Sequence, residues 1–157
     1  MLEWIHELIT NPFLITAIFA WFIAQVIKTI IYYILHKEIR LERLVGDGGM
    51  PSGHSATVCS LAGLSLLMFG PGSYEFAISA LLAIIVCHDA MGVRREVGKQ
   101  AVLTNEMIAI IEKLAKDEEL SEIELKEFVG HTPLQVVIGG SIGIASSVIA
   151  WLLWFRW

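Results

Sequence analysis

Residues 12–35 read PFLITAIFAWFIAQVIKTIIYYIL, and this run decides the fold class. Its one charged side chain is Lys28. At about 1.5 Å per helical residue, the run exceeds a hydrocarbon core of about 30 Å. A cleaved signal peptide is not expected here: the run is too long, it contains Gln25 and Lys28, and no small-residue cleavage pattern follows.

Outward from this run lie three more apolar stretches, at residues 55–69, 74–87 and 133–155. The chain is 55% hydrophobic over 157 residues, against about 45–50% for a soluble domain. Its mean hydropathy is +0.67. The two middle stretches reach spanning length if the second helix starts at Pro51 and the third continues to about Val93. Pro12, Pro51, Pro71 and Pro133 each stand at or just before one of the four runs, where a missing N–H costs a helix nothing. The expected architecture is all-α: a single integral membrane domain over residues 1–157, with four transmembrane helices and one or two short cytoplasmic helices. Cys59 and Cys87 fall inside apolar helices and imply neither a disulfide nor a metal site.

Four spans put both termini on one face and residues 37–50 and 94–130 on the other. That second face carries Lys37, Arg40, Arg43, Arg94, Arg95, Lys99, Lys113, Lys116 and Lys126, nine of the eleven basic residues. By the positive-inside rule it is cytoplasmic, in a plasma-membrane protein whose termini are outside. The net charge of −5 gives no support for nucleic-acid binding. Within the cytoplasmic loop, residues 96–130, Val102, Leu103, Met107, Ile110, Ile111 and Leu114 recur at helical spacing. A second short helix is expected from Ser121, with Glu124 completing a capping box, to Gly130. Gly139 and Gly143 form a G-x-x-x-G step that Ser147 continues, a face suited to close helix packing and to a homo-oligomer.

The polar residues of the helix ends gather on the cytoplasmic face. Residues 46–58 read GDGGMPSGHSATV, residues 87–95 CHDAMGVRR and residues 130–135 GHTPLQ. Thus His54, His88, Asp89, Arg94, Arg95, His131 and Gln135 converge, with Lys28 about two turns inside the first helix. Two helix N-termini, several cations and glycines that let backbone approach an oxyanion describe a phosphate site. Ser52 adds a hydroxyl donor, and arginine a planar fork matched to phosphate. Two histidines then divide nucleophilic and general-acid work. No metal and no cofactor are expected.

MPSGHSA resembles the P-S-G-H signature of the type-2 phosphatidic acid phosphatase and vanadium haloperoxidase superfamily, and GHTPLQVVIGG resembles the end of its third signature. The joint pattern of GGMPSGHSATV, DAMGVRR and GHTPLQVV is similar to the divergent bacterial and plastid branch, over roughly residues 24–140. The resemblance implies metal-free hydrolysis of lipid phosphate or isoprenyl diphosphate esters through a phosphohistidine. It assigns His131 as nucleophile, His54 as general acid, and Ser52 and the Gly53 backbone to phosphate. Leu125 stands where the signature has arginine, so Arg94 or Arg95 is expected to supply that charge. Gln135 replaces the aspartate that orients the nucleophile, with Asp89 as the available carboxylate. Lys28 and Arg43 stand for the first signature, although no proline follows Arg43. The alternative is a protein that keeps the cleft without turnover, binding or flipping phosphate lipids, or a small transporter.

Overall fold

A computed structural model describes residues 1–38, 49–115 and 130–154. Those residues form six helices: α1 (Leu2–Ile9), α2 (Pro12–His36), α3 (Gly53–Phe69), α4 (Tyr74–Met91), α5 (Val93–Ala115) and α6 (Pro133–Trp154). The family of elements is all-α, as expected. Arg43, Gly48, the side chain of Leu114 and the expected short helix from Ser121 lie outside the described residues.

Local chemistry sets the boundaries. Asn11 caps α2 by accepting from Phe13 N at 2.9 Å and Leu14 N at 3.2 Å, with Pro12 in the first helical position. Ser52 caps α3 and Ser73 caps α4, so these helices start two and three residues after Pro51 and Pro71 rather than at them. α4 stops at Met91 rather than running to Val93, because the chain turns at Gly92 and α5 begins at once. α1, to which no element is assigned from sequence, is a short helix whose Trp4 and Leu8 are exposed.

Among the described residues, three helical stretches are long and apolar enough to cross a membrane: α2, the run Tyr74–Ile111 that joins α4 and α5, and α6. α3 is apolar too but has only 17 residues, so the expected count of four spans rests on a helix at the short limit. It is nonetheless the hub, packed against α2, α4 and α6.

Small residues fill that hub. Ala20, Ala24 and Ala56 are fully buried, with Ile142 against them. Ile84, Ile85 and Leu153 are more than 60% exposed, as suits side chains that face lipid tails. Between lipid-solvated helices the hydrophobic effect supplies no drive, so close backbone contact and dispersion hold the seam. A Cβ on Gly139 would run into the Ser52 carbonyl oxygen, and one on Gly143 into the Ala56 carbonyl and to 2.8 Å from Ser60 N. The G-x-x-x-G face packs inside the chain, on α3. Buried serines in this seam satisfy themselves locally: Ser146 donates to Ile142 O at 2.8 Å and Ser147 to Ile144 O at 2.7 Å.

Phe13 stacks on Phe69 with ring centroids 5.5 Å apart, pinning the start of α2 to the end of α3. The other end of the bundle gathers the middle of α2 around Trp21, Gln25 and Lys28, the starts of α3 and α6 and the end of α4.

Candidate functional site

The site is assembled by main-chain links between helix ends. Ser52 N donates to Gln135 O at 3.0 Å, joining the start of α3 to the first turn of α6. His131 N donates to Ala90 O at 2.9 Å, joining the segment that leads into α6 to the end of α4. Gly130, at φ +91°, lies against the Arg94 and Arg95 backbone so closely that a Cβ would collide with it. A left-handed φ and that contact both call for glycine.

These links bring the two histidines together. The His54 and His131 rings lie 6.3 Å apart between centroids, tilted by 58°, so one phosphate can touch both. His131 is 3% exposed, whereas His54, in the first turn of α3, is half-buried. Gln135 Oε1 lies 3.2 Å from His131 Nδ1 and accepts from Thr132 N at 3.0 Å. Thr132 Oγ1 in turn accepts from Gln135 N at 3.4 Å. Residues 132–135 thus form a reciprocal capping box, T-x-x-Q, and the capping glutamine is also the group that holds the imidazole. With Nδ1–H donating to an amide oxygen, the ring's lone pair is on Nε2.

Asp89 does not take the orienting position foreseen for it. Its Oδ2 accepts from Arg94 Nε at 2.8 Å, in a pair whose side chains are 42% and 44% exposed. Arg94 is therefore engaged beside the cleft, and the Arg95 side chain is exposed while its backbone backs Gly130. Ser52 is fully buried, and its Oγ accepts from Ser55 N at 3.3 Å and from Ser55 Oγ at 3.0 Å. Its observed work is to cap α3. Gly53 is the first helical residue, so its N–H has no intrahelical acceptor. Lys28 is 5% exposed, and its Cγ lies 3.5 Å from where a Gly49 Cβ would stand. His88 is exposed, and its carbonyl accepts from Gly92 N in the turn that ends α4.

Two residues join the site that the motif reading passes over. Trp21 and Gln25 share one face of α2 with Lys28. A Cβ on Gly53 would sit 3.1 Å from Trp21 Cδ1 and 3.9 Å from the Gln25 amide carbon. The signal was present in their spacing, since positions 21, 25 and 28 fall on one helical stripe.

The family described as "Divergent PAP2 family" matches residues 9–146. An uncharacterized membrane protein of Bacillus subtilis (strain 168), YuiD, is 38% identical over 151 residues, covering 91% of this chain and 96% of that protein. No solved structure matches the chain.

Proposed function

The chain belongs to the divergent PAP2 family, and from that premise we propose that it is an integral membrane phosphatase acting on lipid phosphate or isoprenyl (di)phosphate esters. The observation that carries the reading is the buried His131, fixed through Nδ1 and facing His54 across 6.3 Å at the N-termini of two helices. His131 Nε2 attacks phosphorus, the P–O ester bond breaks, and the leaving oxygen takes its proton from His54. Water then attacks the phosphohistidine, His54 takes a proton from that water, and inorganic phosphate leaves. The positive ends of α3 and α6, the Gly53 N–H and Lys28 favour the charge on the transferring phosphoryl group. No metal or cofactor enters this scheme.

A lipid ester is supported by the position of the pair and by the surface below it. An apolar hollow of about 280 Å³, lined by Cys59, Gly63, Leu66 and Ile144 among others, begins just over a turn beyond His54 along α3. The cleft faces the cytoplasm of the cell membrane in this reading, because the basic segments share its side. A second reading, binding or flipping of phosphate lipids without turnover, is favoured by one residue: the Gln135 amide cannot stabilise an imidazolium as a carboxylate does.

Detergent-solubilised protein without added metal is expected to release phosphate from phosphatidate or an isoprenyl phosphate, through an acid-labile phosphoenzyme. Inside-out vesicles should hydrolyse an added aryl phosphate, and intact spheroplasts should not. Tight lipid-phosphate binding with no release on any of these esters would favour the second reading.

A further inference from the structure

Gln25 is 4% exposed, and its Oε1 is a buried side-chain oxygen with no hydrogen-bond donor among the described residues. A buried acceptor left unpaired is costly, and an apolar side chain of the same shape avoids the cost. The nearby hydroxyls are committed elsewhere. Thr29 Oγ1 donates to the Gln25 main-chain carbonyl at 2.9 Å, Thr57 Oγ1 to Gly53 O at 2.9 Å, and Ser55 Oγ to Ser52 Oγ at 3.0 Å. The Gln25 amide carbon nevertheless lies 3.9 Å from the Cβ position of Gly53, the residue that opens α3 with an uncapped N–H. An orphan acceptor therefore belongs to a side chain packed against the first residue of a 17-residue helix, at the helix's positive end.

A ligand that satisfies both that acceptor and the Gly53 N–H must donate at one atom and accept at another. A fully deprotonated oxyanion only accepts. A phosphate monoester, or the terminal phosphate of a diphosphate, keeps a P–O–H beside its oxyanions in about half of its molecules at a pH of about 6, where its second pKa lies. A phosphodiester monoanion and sulfate have no such proton. We propose that Gln25 is the specificity residue of the phosphate cleft, accepting a hydrogen bond from a protonated phosphate oxygen while the Gly53 N–H donates to an adjacent one. This rests on the phosphate reading of the same cleft and narrows it to terminal phosphates.

Calorimetric titration of the full chain in detergent at pH 6 tests it, with inorganic phosphate and sulfate as probes, and methyl phosphate against dimethyl phosphate as a second pair. Wild-type protein should bind the proton-bearing member of each pair about tenfold more tightly, equivalent to about 1.4 kcal/mol. Gln25→Met should bring both ratios to within about twofold, mainly through weaker binding of the proton-bearing ion. Equal affinities within each pair for the wild type, or ratios unchanged in Gln25→Met, overturn the proposal and leave the phosphate reading standing. Binding of none of the four probes overturns both. The wild-type ratios decide the matter even where the variant does not fold.

Discussion

α3 and α6 begin alike and hold their histidines differently. Both start beside a proline, both are capped by a hydroxyl residue, and both carry one histidine within two residues of the cap. In α3 the histidine follows the cap, lies inside the first turn and is half-buried. In α6 it precedes the cap, is 3% exposed, and is tied twice: main-chain N–H to Ala90 O, ring Nδ1 to Gln135 Oε1. A nucleophile must be aimed, since misplacement by 1 Å is expensive. A general acid must meet leaving groups of different shape. The two helix starts supply one rigid and one more open imidazole.

The sharpest break of that comparison comes from removing each ring. His131→Ala should abolish both turnover and phosphoenzyme formation. His54→Ala should slow hydrolysis of alkyl phosphates by roughly 10²–10⁴, with a much smaller loss on aryl phosphates that leave unaided. Burst-phase phosphohistidine and steady-state phosphate release on both substrates check the pair. Equal losses that ignore the leaving group would show that the two histidines do not divide the work.

The tie on His131 comes next. Gln135→Leu removes a hydrogen bond to a group that becomes charged, worth about 1.5–3 kcal/mol, and should lower kcat by about 10–150-fold. Gln135→Asp puts a carboxylate at the same place and should keep or raise kcat. A loss in Gln135→Asp as large as in Gln135→Leu, read from kcat on an aryl phosphate, would remove Gln135 from the orienting role.

The smallest effect is expected at the cap of the other helix. Ser52→Ala should cost about 1 kcal/mol of stability, seen in thermal unfolding, with little change in leaving-group dependence. A loss of turnover far beyond that destabilisation would return Ser52 to the surface of the cleft.

Where a signal is local, the residues announce it. The apolar runs, Pro12 and Pro133 at first helical positions, and the gathering of His54 and His131 at one end follow from hydropathy and the side-counting of helix ends. Signals that depend on a partner surface are not readable one helix at a time. The Gly139 and Gly143 face says only that some backbone comes close, and nothing in its spacing states that the backbone belongs to Ser52 and Ala56 of the same chain. Asp89 looks like the replacement carboxylate because charge is visible in sequence, while the competing claim of Arg94 is a matter of geometry. Gln135 reads as a defect in a signature; as the last member of a T-x-x-Q box it is an ordinary capping residue given a second task.

The α3 and α6 seam has one more consequence, for how the 6.3 Å gap is kept. Gly139 meets Ser52 and Gly143 meets Ala56, so each helix advances by four residues from one contact to the next, like two racks with the same tooth spacing. With backbone against backbone there is no rotamer to yield, and a small sliding error has nowhere to go. The next meshing position is four residues away, about 6 Å. The two imidazoles are therefore either in register or far apart, and the width of the gap is set digitally, by which tooth engages which.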